Sequence, residues 1–191
     1  MTRAWSRVPW LGVWGAIALV LASPPVRAQT AGVSGVRSTS AAIREMLDDG
    51  AWESPTFRDL VRAIASHDGI VYVEDGLCRH GVHSCLLLNV TQASGFRFLK
   101  ILVDLEGVLA HRKRQDVIAT IGHELWHAVE VLGDRTLTSP SAIFQFYGRE
   151  AATNNSTFET RAAIAAGQRV QDELKHGVTF VWQQVALDVG R

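Results

Sequence analysis

A helical period follows Ser54-Pro55, where Phe57, Leu60, Val61 and Ile64 fall at i, i+3, i+4 and i+7. Residues 40–49 predict a shorter helix before it, ended by Gly50. At Gly69 the period changes. Residues 70–73 and 85–91 read as strands, 92–95 as a four-residue hairpin loop and 96–105 as a third strand. Along that third strand Phe96, Phe98, Lys100, Leu102 and Asp104 face one way. Arg97, Leu99, Ile101, Val103 and Leu105 face the other and, being mostly apolar, are expected to pack on a following helix. The three runs predict a three-stranded antiparallel sheet.

Helical period returns over residues 116–132, with Val117, Ile118, Ile121, Leu125, Ala128, Val129 and Leu132 as apolar positions and Gly133 as the C-terminal stop. Ser139-Pro140 opens a short helix carrying Ile143, Phe144, Phe146 and Tyr147. Residues 151–156 form a polar connection, and 157–176 a long Ala-rich helix stopped by Gly177. In 178–189 strand and helix periods compete. With no internal repeat, the expected fold is one α+β domain over residues 40–191.

The first 28 residues stand apart. Arg3 and Arg7 precede an apolar stretch from Trp10 to Ala22, and Val26-Arg27-Ala28 has the small-residue pattern of a cleavage site. Thirteen apolar residues fall short of the roughly 20 that a spanning helix needs. Residues 1–28 therefore read as a signal peptide and 29–39 as a flexible leader, placing the protein in the periplasm or outside the cell, with no stable membrane span after cleavage. The chain is formally neutral, and losing three arginines leaves 16 basic against 19 acidic residues, a net −3. No basic stripe interleaves with aromatics, which argues against a nucleic-acid partner.

Within the helix at 116–132 stands His123-Glu124-Leu125-Trp126-His127. Residues at i and i+4 share a helix face one turn apart, so both imidazoles can reach one metal ion. Glu124 projects about 100° round from His123, where a general base for an activated water belongs. With 7 histidines in 191 residues, a chance match is on the order of one in a hundred. A catalytic zinc ion wants a third protein ligand and an open position. Glu130 shares the histidine face and is a ligand or, more naturally, support for a histidine. Glu150 and Glu159 lie 23 and 32 residues past His127, and either could return on a later helix. Glu159 is preferred because it opens the Ala-rich helix, whose small residues permit close packing; Ser156-x-x-Glu159 would alternatively be a capping box.

The motif followed by a glutamate beyond it resembles the zinc metallopeptidases of the gluzincin kind. The runs 121–131 and 158–160 also resemble small exported bacterial proteins that carry the same His-Glu-x-x-His motif and have no assigned activity, a likeness covering residues 72–174. The resemblance implies a small zincin-like domain, its sheet packed on the motif helix. One Zn²⁺ per chain would be held by His123, His127 and Glu159, with Glu124 the base for peptide-bond hydrolysis and a peptide or protein as substrate. Tyr147 or His176 would be a transition-state donor, and an exposed sheet edge near residues 96–104 would align the peptide. In one respect the chain departs from that clan: Ala163 stands where its Glu-x-x-x-Asp pattern needs Asp. Support for His123 is thereby unassigned, with Glu130 a candidate.

Two other chemistries compete. Glu124-x-x-His127 and Glu173-x-x-His176 form two Glu-x-x-His pairs of the sort di-iron bundles use, but strands at 70–105 do not suit a four-helix bundle. A non-catalytic, metal-stabilised binding domain is the other. Cys78 and Cys85 predict a disulfide, contributing about 2–3 kcal/mol by loop closure. A zinc site of Cys78, His80, His83 and Cys85 would have to wrap the ion in eight consecutive residues.

Overall fold

The computed structural model describes residues 35–150 and 158–176. The signal segment, the start of the leader, the 151–156 connection and residues 178–189 lie outside them. Among the described residues, six α-helices and a mixed sheet of five strands make an α+β fold.

The sheet differs from the antiparallel one expected. Strand β2 (Gly69–Asp75) pairs in parallel with β5 (Phe96–Val103), from Gly69 opposite Arg97 to Asp75 opposite Val103. A two-residue strand β1 (Val36–Arg37), inside the expected leader, pairs in parallel with β2. On the other flank of β5, β3 (Ser84–Leu86) and β4 (Thr91–Ala93) pair antiparallel with it. The run 85–91 is thus two short strands rather than one. Periodicity reveals which residues alternate but not which neighbour they pair with, and the 20 residues between β2 and β5 leave room to reach the far side of β5. Consequently β5 is an inner strand, and the expected edge at 96–104 is not an edge. That position belongs to β3. The β4–β5 turn is also tighter than expected: Ser94 and Gly95 both have positive φ, 51° and 79°, as a two-residue hairpin turn requires.

Alternation along β5 holds as expected, with Arg97, Leu99, Ile101 and Val103 buried. They join Val71 and Val73 of β2 beneath helix α4 (Arg114–Gly133). Around α4 lie α1 (Ala41–Glu53), α2 (Pro55–Ala65), the short α3 (Leu105–Leu109) and α6 (Arg161–His176). Helix α5 (Pro140–Glu150) contributes Ile143 and Tyr147 to the same core. Helix α1 does not stop at Gly50, which is buried where an added Cβ would lie 2.9 Å from Ile118 Cγ2. Ser54 makes the break instead, its hydroxyl accepting from the Phe57 amide to cap α2.

Because α4 is enclosed on most sides, its polar residues need partners. Arg97, 3% exposed, supplies them at one end. Its guanidinium donates to the carbonyls of Val131 (3.0 Å), Leu132 (2.6 Å) and Asp134 (2.8 Å), and pairs with Asp68 at 2.7 Å. The last turn of a helix leaves carbonyls unpaired and carries partial negative charge, so one buried cation satisfies both. Asp68 is held below the usual carboxylate range first by that hydrogen bond to Arg97. Cys78 and Cys85 form the expected disulfide, Cα atoms 6.1 Å apart, bracing the loop that leads into β3. Disulfide bonding removes the thiolates that a Cys/His zinc site would need.

Candidate metal centre

His123, His127 and Glu159 converge. The glutamate Oε2 lies 2.8 Å from His123 Nε2 and 3.8 Å from His127 Nε2. Each of the three residues presents one donor atom, and the three atoms lie within 4.8 Å of one another. Glu159 Oε2 is fully enclosed yet accepts no hydrogen bond of acceptable geometry. A buried carboxylate oxygen left in that state is costly. Two imidazole nitrogens and a carboxylate oxygen aimed at a common point are a donor set suited to a divalent metal ion, so these residues fit one.

Helix α4 delivers both histidines from one face, their rings 4.9 Å apart. Glu159 arrives differently from expectation. It sits just before α6, not on it, because Thr160 caps that helix, its hydroxyl accepting from the Ala163 amide at 3.1 Å; Ser156 of the expected capping box lies outside the described residues. Close approach of α6 to α4 depends on Gly167, where an added Cβ would stand 3.0 Å from His123 Cβ.

Glu130 supports His127, not His123. Its Oε2 accepts from His127 Nδ1 at 2.8 Å, while Oε1 accepts from Trp126 Nε1 (3.0 Å) and Thr160 Oγ1 (2.6 Å). The i, i+3 spacing from His127 is closer than the i, i+7 spacing from His123, which decides the partner. A carboxylate on Nδ1 fixes the ring and leaves Nε2 for a metal. Burial works against a charged His127, but its hydrogen bond to Glu130 and the nearby Glu159 carboxylate outweigh it and raise the imidazole to about 9. The imidazoles beside Glu159, His123 first and then His127, hold its carboxyl far below the usual range. Burial pushes Glu130 up, yet His127 and Thr160 bring it below its ordinary value.

Glu124, 5% exposed, accepts from Ser84 Oγ at 2.7 Å, linking the motif to the edge strand β3. The site is open on another side, with the His123 and Glu159 side chains 18% and 40% exposed.

The remaining candidates are placed elsewhere. Glu150 is exposed at the end of α5 and outside the ligand cluster. The Tyr147 ring packs edge-on against His127 at 5.2 Å, and its hydroxyl donates to the His127 backbone carbonyl at 3.1 Å. Burial pushes that phenol well above its ordinary pKa, so it braces the helix instead of facing a reacting group. His176 ends α6, nine residues beyond the glycine that touches His123, about 13 Å along the axis. Glu173 is engaged with Ser54 and Thr56, accepting from the Thr56 amide at 3.0 Å and its hydroxyl at 2.7 Å. The second pair of a di-iron centre is therefore not assembled. His83 lies 3.6 Å from Asp104.

Thr160, Ser84 and Arg97 were not singled out from the sequence as site-supporting residues. Thr160 carried a signal, since a threonine before an Ala-rich run is a good N-cap. Arg97 carried another, a charge on an otherwise apolar strand face. Ser84 carried none.

Comparison of the chain with protein-family models, curated proteins and solved structures returns no match.

Proposed function

We propose that this chain is a zinc-dependent peptidase of the zincin type, gluzincin-like in its ligand set, acting outside the cytoplasm. The observation that carries the reading is the enclosed Oε2 of Glu159, without a hydrogen bond, lying 2.8 and 3.8 Å from the Nε2 atoms of His123 and His127, with Glu124 between those histidines in sequence. A nitrogen-rich N₂O set favours zinc over magnesium or calcium, which prefer oxygen ligands. When bound, the metal supplies Lewis acidity towards a water and a substrate carbonyl.

This chain's residues do the rest. Ser84 holds Oε1 of Glu124, leaving Oε2 to take a proton from the attacking water and deliver it to the leaving amine. Glu130 keeps His127 in register. Strand β3, on the flank of β5 away from β2, offers backbone groups to an extended peptide by strand addition. The disulfide is compatible with an exported protein. No helix among the described residues is long and apolar enough to cross a membrane.

Enclosure of Glu124 and its bond to Ser84 favour a second reading, an exported metal-stabilised binding domain in which Glu124 is structural. Against it stands the solvent access at His123 and Glu159, which a sealed structural site does not need. Glu124→Gln separates the two. A peptidase variant keeps one zinc per chain by elemental analysis but loses about 10²–10⁴-fold in peptide cleavage, the typical worth of general acid–base catalysis. Peptide cleavage by wild type that Glu124→Gln leaves intact would refute Glu124 as base. Failure of wild type to retain zinc even when supplied would sink the metal reading itself.

A further inference from the structure

Residues 158–160 make three separate attachments to the metal centre within three positions. Glu159 offers its carboxylate to the histidines. Phe158 packs edge-on against Phe144 at 5.0 Å and, tilted, against Tyr147 at 6.0 Å, and Tyr147 in turn packs on His127. The buried Thr160 hydroxyl does two things at once, donating to Glu130 Oε1 at 2.6 Å and accepting from the Ala163 amide at 3.1 Å. Glu130 then reaches His127 Nδ1 at 2.8 Å. A chain of contacts runs from the α6 cap through Thr160 and Glu130 to His127, and a metal held by His127 and Glu159 would close it into a ring.

We propose that Thr160 is a positioning residue that couples metal binding to the seating of the α6 N-terminus on α4. The coupling rests on the metal reading of the same site. Its physical basis is the sharing of one hydroxyl. Rotating it away from Glu130 frees the carboxylate that orients His127, and moving the Thr160 backbone withdraws Glu159 from the histidines. Metal binding and a closed α6 cap thus favour the same arrangement, and by linkage each strengthens the other. Trp126 completes the clasp by donating to the same Glu130 oxygen at 3.0 Å, so that oxygen keeps a donor when Thr160 is altered.

The test uses the exported chain and Zn²⁺ alone, with affinity measured by chelator competition. Thr160→Val should weaken Zn²⁺ binding up to about 10-fold, less than the roughly 10–100-fold that follows removal of a direct partner of a metal-bound histidine, because Trp126 still holds Glu130. Thr160→Ser, which keeps the hydroxyl, should restore it. In a Glu130→Ala background Thr160→Val should cost clearly less affinity than in wild type, because the route through Glu130 is already broken there. A residue that merely capped α6 would cost the same zinc affinity in both backgrounds, and that result overturns the coupling. Equal affinity in folded Thr160→Val and wild type overturns the coupling. Should the valine variant fail to fold, amide exchange in wild type decides: Ala163 exchange must slow on saturation with Zn²⁺, and an unchanged rate overturns the coupling. Absence of any zinc binding by wild type is a different result, and it removes the metal reading together with the inference.

Discussion

Two charged side chains reach helix α4 from different elements, Arg97 buried and Glu159 40% exposed, and their surroundings are opposites. Arg97, from the sheet, has three helix carbonyls and Asp68 around its guanidinium. Glu159, from the α6 side, ends in an enclosed oxygen with no hydrogen bond of good geometry. Arg97 is hydrogen-bonded in full by protein, whereas the enclosed Glu159 oxygen has only the two imidazoles beside it, at 2.8 and 3.8 Å, without hydrogen-bond geometry. The first arrangement is what a fold needs in order to end a buried helix. The second makes sense when something outside the chain supplies the missing partner. A satisfied buried charge therefore reports on stability, and an unsatisfied one beside convergent imidazoles reports on binding.

Arg97→Met is the most severe way to break the contrast. Replacing the guanidinium leaves the carbonyls of Val131, Leu132 and Asp134 without that donor inside the protein. We expect a loss of about 3–5 kcal/mol, the range for breaking a buried, hydrogen-bonded charge pair from one side. Urea unfolding of the metal-free protein measures it, and a loss under 1 kcal/mol would show that the clamp is dispensable.

Glu159→Gln should behave in reverse. Zinc affinity should fall by more than the 10–100-fold expected for a supporting residue, because a ligand itself is lost, whereas Glu150→Gln should leave it unchanged. Stability of the metal-free protein should move by no more than about 1 kcal/mol, since a side chain 40% exposed gains little net from ion pairing. Chelator competition and thermal melts on one sample read both quantities. If Glu159→Gln unfolds the metal-free chain as Arg97→Met does, the two charges play the same role and the contrast fails.

This opposition was only half visible in the sequence. His123, Glu124 and His127 could be read directly, because i, i+4 spacing on one helix fixes their relation without any tertiary knowledge. Glu159 could be nominated because its neighbours are small. Its position just ahead of the helix could not, since that depends on Thr160 taking the N-cap. Likewise, alternation identified the buried face of β5, but strand pairing is non-local, and β5 was placed at an edge when it lies inside the sheet. Arg97 was counted on the apolar face with no account of what it met there. Its partners lie 29 to 37 positions away, a separation that local periodicity does not encode.

Acid sharpens the contrast at the clamp. Asp68 is lowered in the folded state, chiefly by its bond to Arg97. A lowered carboxyl contributes stability that is fully present above its unfolded value, near 4, and that drains away as pH falls through the folded value. Stability should therefore fall below about pH 4 in wild type, and less steeply in Asp68→Asn, which has no such proton to take up. Parallel pH-dependent unfolding curves in the two proteins would mean that Asp68 does not contribute to the acid limb.

Gly167→Ala is the mildest change and tests the metal end alone. An alanine removes a helix glycine, worth about 1 kcal/mol of backbone propensity. Against that, its Cβ would stand 3.0 Å from His123 Cβ, which no rotation of the His123 ring moves, so α6 and α4 must part by a few tenths of an ångström and carry His123 with them. The two effects nearly cancel in stability, leaving the metal-free melting temperature close to that of wild type. They do not cancel in the site, where displacement of His123 spoils its approach to the point shared with His127 and Glu159. We expect zinc affinity to drop several-fold, equivalent to about 1 kcal/mol, at the low end for an overpacked core position. Undiminished affinity would mean that α4 and α6 adjust without moving the ligand, and that His123 is held by something other than the closeness of the two helices.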